Sequence, residues 1–320
     1  MDQDDLRCNS QMPVLTVAVC TYNRANLLND LVTALRQLNC PIPFEILVVD
    51  NNSTDHTQTV LAALAREPGA PLRHVQEFRK GIVHARNRAI EEALNSDYLL
   101  FMDDDELPFP TQLQATLHAL DTEQADCAGG KYVLKFLHPK PRWLTPNLYS
   151  YLGHLNHGEQ AFWIDTPHTP LWTGNMAFRM ALFKQHSHLR FDTRFNRIGE
   201  NMGGGEDLMI FRQLLALGKH IRYRPDMAIY HLIPPQRMTK RYFIKQALGS
   251  GLHLGRCHVL LEPPAQLVQP RHAKLATHIA LRTLLKSIAL HPDAFAGQLK
   301  LIRFCGVLAS FLTRTPKAAS

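Results

Sequence analysis

The chain has 320 residues, 45% apolar and 20% charged, an ordinary globular balance with room for one large domain and an appendage, or for two domains. No run of about 18 or more apolar residues occurs, which excludes a conventional transmembrane helix. The net charge of +7 is uneven: residues 237–320 hold 13 Lys and Arg against two acids, so the body is mildly acidic and the tail basic. Such a tail points to an anionic surface as partner, either nucleic acid or the cytoplasmic leaflet of a membrane. The polar, acidic start Met1–Ser10 is no secretory signal, and the six scattered cysteines form no CxxC pair. Both facts suit a cytoplasmic protein with free thiols.

Val14–Cys20 is a short β-branched run and reads as a strand. Leu27, Leu28, Leu31, Val32, Leu35 and Leu38 then recur at helical spacing. Phe44–Val49 is a second strand ending at Asp50, and Thr54 or Asp55 can cap a helix running to about Arg66. Leu72–Val75 is a weak third strand, Ile82–Leu94 a helix, Tyr98–Met102 a fourth strand, and Thr111–Leu120 a helix. Short strands alternating with helices imply βαβ units in a mostly parallel, Rossmann-like sheet with helices on both sides. Phe136–Pro170 loses this rhythm and is rich in Pro, His, Trp and Tyr, which suits a functional loop. Asn175–Phe178, the helix Asp207–Leu217, and the short strands Ile221–Arg224 and Met227–His231 resume the order. Beyond Pro234-Pro235 the chain turns helical and basic, so residues 1–236 form the expected catalytic domain and 237–320 the extension.

Leu99–Glu106 is the chemically densest stretch: an apolar strand ends in Asp103, Asp104, Asp105 and Glu106. Adjacent carboxylates repel unless something positive lies among them. At the carboxyl end of an α/β strand that is most simply Mg²⁺ or Mn²⁺, with Asp103 and Asp105 as ligands. Strand one ends in Thr21-Tyr22-Asn23-Arg24 and strand two in Asp50-Asn51-Asn52-Ser53, polar ends that together make a nucleotide-sized crevice. Asp50 could accept from a base N–H, while Thr21, Tyr22 and Asn52 could hold base and ribose. No GxGxxG follows strand one, which argues against a dinucleotide enzyme. Arg86, one turn after Ile82 and Val83, can point toward a diphosphate. Gly203-Gly204-Gly205 precedes Glu206 and Asp207, which open a helix whose dipole keeps a carboxylate ionised, as a general base needs. His231 ends a strand and is a candidate metal ligand.

Taken in order, these segments resemble the family 2 glycosyltransferases, which have the GT-A fold. The matching residues are Thr21-Tyr22-Asn23-Arg24, Val49-Asp50-Asn51-Asn52-Ser53, Lys80-Gly81, Ala85-Arg86-Asn87, the Asp-x-Asp at 103–105, Gly174-Asn175, and Glu206-Asp207 with His231. The resemblance spans about residues 14–231. It implies a nucleotide-diphospho-sugar donor, with UDP favoured, a divalent cation, and inversion at the anomeric carbon. Carried over by position, Thr21, Tyr22, Asn23, Asp50, Asn52 and Lys80 fall in the donor pocket, with Arg86, Asp103 and Asp104 as further donor contacts. Asp105 becomes the main metal ligand, with Asp103 and His231 beside it. Trp172, Gly174 and Asn175 become the sugar and acceptor wall, Asp207 the base, and Glu206 its runner-up. Processive members carry a Gln-x-x-Arg-Trp motif and membrane helices; Gln236-Arg237-Met238 departs from that motif, so one sugar per encounter is expected.

The acceptor is then a saccharide or a lipid-linked glycan of the cell envelope, read by the 136–170 insert. Trp143, Trp163 and Trp172 could stack on sugar rings or fill a core. Leu281–Leu312 reads as a basic amphipathic stretch on the cytoplasmic face of a membrane, the competing occupant being the catalytic domain or a second subunit. Two other classes compete. A metal-dependent nucleotidyltransferase would share the aspartate pair but has no need of Glu206-Asp207. A nucleic-acid-binding protein would use the basic tail but leave the acidic crevice unexplained, so no nucleic acid partner is expected.

Overall fold

The computed structural model describes residues 15–197, 204–261 and 294–312. Strand β1 (Leu15–Thr21) is buried along its whole length, as a strand covered by helices on both faces must be. Helix α1 (Ala25–Arg36) turns Leu28, Leu31, Val32 and Leu35 inward, so its apolar stripe matches the helical period. Then follow β2 (Phe44–Asp50), α2 (Thr57–Leu64), β3 (Leu72–Gln76), α3 (Ile82–Glu92) and β4 (Tyr98–Asp103). His56 is the N-cap of α2, and Asp55 just before it accepts from the Thr57 N–H at 3.0 Å.

The second half holds β5 (Glu106–Pro108), α4 (Gln112–Leu117), β6 (Cys127–Phe136), β7 (Phe162–Ile164), β8 (Met176–Arg179), α5 (Ala181–Gln185), α6 (Glu206–Ala216) and β9 (Ile221–Ile233). The sheet runs β3-β2-β1-β4-β8-β6-β9-β5, with β7 on the flank of β9. Strands β3, β2, β1 and β4 are parallel, as the βαβ rhythm implies. The direction reverses at β8, which lies antiparallel to both β4 and β6. The fold class is therefore α/β with a central sheet flanked by helices, parallel in its first half and mixed in its second. The strands expected at 221–224 and 227–231 are one continuous strand.

After a turn at Pro235–Met238 come two basic helices, α7 (Lys240–Leu261) and α8 (Ala294–Leu312). They pack backbone against backbone: a Cβ on Gly251 would sit 2.0 Å from the Arg303 carbonyl oxygen. Leu144, Leu148, Leu152 and Ile233 share a second apolar core with Met238, Phe243, Ala247 and Leu299, so these helices are seated on the insert. Trp143 belongs to this cluster, edge-on to Phe243 at 5.3 Å, and Trp172 packs on the main core. Trp163 is instead 47% exposed and lies under the Arg222 guanidinium. Among the described residues no helix is long and apolar enough to cross a membrane, and residues 281–293 of the expected amphipathic stretch lie outside them.

Candidate active site

The parallel register places Thr21 opposite Asp50 and Cys20 opposite Asp103, so three polar strand ends open on one rim of the sheet. Beyond Asp103 the chain turns sharply through Asp104 and Asp105 into β5, which pairs antiparallel with β9 and sets Glu106 opposite His231. The acidic run is thereby folded into a cluster, and three arginines answer it. Arg24 Nη1 reaches Asp104 Oδ1 at 2.6 Å and Asp105 Oδ2 at 3.1 Å. Arg237 Nη2 reaches Asp105 Oδ2 at 2.7 Å, and its Nη1 lies 2.8 Å from His231 Nε2. Arg86 Nη2 lies 3.3 Å from Asp103 Oδ1.

The acids respond differently. Burial pushes Asp104 up to about 6, although Arg24 and a hydrogen bond from Thr21 Oγ1 at 2.8 Å pull the other way. Burial acts on Asp105 too, but His231, Arg237 and Arg24 outweigh it and hold this carboxyl well below the usual range. Glu106 is fully buried, and that desolvation, with Asp103 and Asp105 nearby, drives its carboxyl well above its ordinary value. One Glu106 oxygen accepts the Asp103 N–H at 2.9 Å, so it braces the turn from behind. Sequence reasoning assigned no role to Glu106, Arg24 or Arg237.

Arg86 is a hub. Its side chain is 4% exposed and pairs with Asp207 at 2.7 Å and Glu206 at 3.4 Å as well as with Asp103. The ring of Phe191 lies 5.5 Å from the guanidinium, and Asn87 fixes Phe191 by accepting its N–H and donating to its carbonyl. In the structure three carboxylates surround the Arg86 guanidinium, one of them Asp103 at the strand end. Burial opposes its charge, yet Asp207, Asp103 and Glu206 hold its basicity above the ordinary value. Gly204 and Gly205 lead into α6 at φ of +140° and +98°, conformations that favour glycine, while Gly203 lies outside the described residues. Glu206 is pushed up to about 6 by burial and by neighbouring Asp207, and its Oε2 has no partner among the described residues. Asp207 is the more accessible of the two, its side chain 26% exposed against 6%.

Gly174 closes the wall above the acids. A Cβ there would lie 2.6 Å from Glu106 Oε1 and 2.8 Å from Asp103 Oδ2, so glycine is required for packing. Asn175 does not present its amide to the crevice: the side chain is fully buried, accepting from Gln112 and donating to the Met227 carbonyl at 2.8 Å. Trp172 contributes its carbonyl to Tyr132 Oη at 2.9 Å.

At the end of β2, Asp50 is buried and accepts from the Ser53 N–H at 3.0 Å and from Gln58. Asn23, at φ of +53°, ties the first loop to the second by accepting the Thr54 N–H at 2.7 Å. Asn51 pins the next loop, donating to the Glu77 and Arg79 carbonyls and accepting from the Gly81 N–H at 2.6 Å. Tyr22 and Asn52 are half-buried at the rim, and Lys80 is exposed. Asp50, Asn23 and Asn51 thus tie the loops together, and Asn23 and Lys80 are the exposed groups of this rim.

The family model for glycosyl transferase family 2 matches residues 16–187. The chain belongs to this family. It is a glycosyltransferase, and its GT-A-like fold is shared with solved enzymes. A mannosyltransferase from Pyrobaculum calidifontis, solved with GDP-Man and Mn²⁺, aligns with 95% of this chain and 88% of its own at a TM-score of 0.61 and 20% identity. S. aureus TarS residues 1–349, solved with UDP-GlcNAc, aligns with 93% and 91% at 0.52 and 17%. The succinoglycan biosynthesis protein ExoM of Rhizobium meliloti is 24% identical over 76% of this chain and 74% of its own length. A validoxylamine A glucosyltransferase of Streptomyces hygroscopicus is 34% identical over 44% of this chain, but only 30% of the relative's length is covered.

Asp103, Asp105 and His231 are the side chains of metal-ligating type at this rim. Asp103 and Asp105 offer hard carboxylate oxygens, and His231 Nε2 lies 3.7 Å from Asp105 Oδ1, close enough for one ion to touch both. Among the described residues no three such groups converge on one point. The Arg237 guanidinium stands between Asp105 and His231.

Proposed function

We propose that this glycosyltransferase moves one sugar from a nucleotide-diphospho-sugar to an acceptor hydroxyl, with inversion, and with Asp207 as the base. The observation that carries this is the Arg86 hub, which joins Asp207 at 2.7 Å to Asp103 at 3.3 Å. One buried guanidinium thereby fixes the distance between the group that takes a proton and the acid at the donor rim, as positioned catalysis requires. Asp207 accepts the acceptor proton as the oxygen attacks the anomeric carbon in line with the departing diphosphate. Arg86 holds the Asp207 carboxylate in place at 2.7 Å, and buried Glu206 serves as a spacer rather than as a second base. Asp103, Asp105 and His231 would hold the divalent ion, which supplies Lewis-acid stabilisation of charge on the leaving group. Tyr22, Asn52 and Lys80 receive the nucleoside and its phosphates, with Gly174 giving the sugar close access to the acids.

Asp207→Asn tests the assignment. Transfer should fall by about 10²–10⁴-fold while nucleotide-sugar binding, followed by calorimetry, stays intact. Near-normal turnover would remove Asp207 from the role. UDP-sugars are the favoured donors, with GDP-sugars next; a thermal-shift screen of nucleotide sugars with and without Mn²⁺ separates them. The relation to ExoM supports an envelope polysaccharide as the product.

The acceptor reading includes a lipid-linked glycan at the cytoplasmic membrane face. Helices α7 and α8 carry no acid, and Lys240, Arg241, Lys245, Arg256, Lys300 and Arg303 are all exposed. Ile244 and Leu308, 43% and 38% exposed, lie on the same helices. Each cation near an anionic leaflet contributes about 1 kcal/mol. Flotation with phosphatidylglycerol vesicles should recover the protein at low salt and lose it at high salt; no recovery at low salt refutes the contact.

A further inference from the structure

We propose that helix α7 of the basic extension is part of the active site: its His253 and Cys257 seat the Gly204-Gly205 turn and so fix where Asp207 stands. The inference rests on Asp207 as the base, and it makes His253 and Cys257 positioning residues. Two consecutive glycines just before a catalytic helix leave its first turn poorly held, because glycine restricts the backbone least of all residues. Something outside the loop must hold it, and the structure puts α7 there. A Cβ on Gly204 would lie 3.3 Å from His253 Cδ2 and 3.5 Å from its Nε2, with Glu206 Oε2 at 3.8 Å. A Cβ on Gly205 would lie 3.0 Å from Phe195 Cδ1 and 3.4 Å from Cys257 Sγ. His253 and Cys257 stand at i and i+4, so both meet the turn from one side of α7.

The seat is apolar and continuous with the Arg86 hub. Cys257 is fully buried and forms a cluster of its own with Phe195 and Met209. Burial pushes its thiol up to about 11, so at neutral pH the sulfur is an uncharged filler rather than a nucleophile. Met209 belongs to α6, and its N–H closes the first turn onto the Gly205 carbonyl at 2.9 Å. Phe195 belongs to the short turn Thr193–Phe195, and the residues just after it are tied to the start of α3. There the Ile82 N–H donates to the Arg197 carbonyl at 3.1 Å and the Val83 N–H to Asn196 Oδ1 at 3.2 Å. Asp207 is therefore held between two helices: Arg86 of α3 pairs with its carboxylate, and α7 supports the backbone that carries it. The same face of α7 continues to the acid rim through Tyr242, about three turns earlier. Burial pushes the Tyr242 hydroxyl up, and the Arg237 and Asp105 charges act on it from that rim.

His253→Ala removes the ring against Gly204 and tests the seat in two ways. Hydrogen exchange followed by mass spectrometry should show residues 205–210 exchanging about tenfold faster, with β1 and β2 as in wild type. Release of nucleoside diphosphate from UDP-glucose or GDP-mannose should lose about ten- to a hundredfold in kcat, since a shift of about 1 Å at a reacting group is that costly. The donor KM should stay within about twofold, because the donor side is untouched. His253→Phe keeps a planar ring at that place and should restore both readouts. Cys257→Ala loosens the same turn from its other side and keeps the test decisive if the His253→Ala protein fails to fold. Wild-type exchange at 205–210 in both alanine variants overturns the seat, and so does faster exchange with unchanged kcat. Where wild type turns over neither probe, the exchange arm decides alone. Asp207→Asn separates this inference from the reading beneath it. If that variant is inactive while His253→Ala keeps its kcat, only the seat fails; if it turns over near normally, the base reading fails and the seat with it.

Discussion

Arg86→Met removes the only described cation shared by Asp103, Glu206 and Asp207 while keeping most of the side chain's volume. Deleting one partner of a buried charge network leaves the others unpaired, which costs about 3–5 kcal/mol. For a chain of this size each kcal/mol lowers the melting temperature by roughly 2–4 °C, so a drop of about 6–20 °C is expected at pH 8. The pH dependence is the sharper test. Glu206 is already pushed up to about 6 by burial and Asp207, and Arg86 is a charge that restrains it. Without Arg86 its folded-state value rises further above the unfolded one. A carboxyl raised in this way is harmless when protonated in both states, and its penalty grows as pH climbs through the folded value. The deficit of the variant should therefore narrow as the pH falls from 8 toward 5. Melting curves followed by circular dichroism across that range measure it, with Arg86→Lys as the intermediate case. A deficit under about 1 kcal/mol, or one that is flat with pH, refutes the hub.

Two other predictions follow from the same geometry. Glu206→Gln should remove a pH dependence in the wild type: a folded value near 6 against an ordinary 4.5 means that stability present at low pH is lost, by roughly 2 kcal/mol, as pH rises through 6. Chemical denaturation at pH 5 and pH 8 should show a loss smaller by about 1 kcal/mol in the variant than in wild type, since Asp104 and Glu106 titrate in both; equal losses count against a strained carboxylate. Gly174→Ala places a methyl 2.6 Å from Glu106 Oε1 and 2.8 Å from Asp103 Oδ2, an overpacking worth about 1–3 kcal/mol. Because Asp103 must shift, donor affinity should weaken along with the melting temperature, and an alanine protein that binds donor like wild type would show that the wall is looser than the distances imply.

The parts legible in the sequence were those written in local pattern. Strands β1, β2 and β4 stood out because a sheet covered on both faces demands unbroken apolar runs, and each ran into polar residues where the sheet stops. Strand β6 escaped because Gly129 and Gly130 look like a loop. In the fold a Cβ on Gly130 would strike the Met227 carbonyl oxygen at 1.8 Å, beside the register shift where β6 and β9 cross their irregularity. The same irregularity carries β9 through Pro225, which reads in sequence as a break between two strands.

The acid run carried a different kind of information. Four neighbouring carboxylates state that positive charge is close, and nothing in their spacing says which charge. Arg24 and Arg237 lie 80 or more residues away in sequence from the acids they meet, so no local periodicity marks them. The fold supplies three guanidinium groups where the sequence suggested one metal ion, and the two answers belong together. A cluster left bare until its ion arrived would destabilise the folded chain, because unpaired buried charge is among the costliest features a protein can hold. Arginines paired with the acids remove that penalty. Of the three, Arg86 is buried among acids on both sides, whereas Arg237 bridges Asp105 and the His231 ring. Long-range charge pairing thus holds together a turn that local sequence marks only by its surplus of like charge.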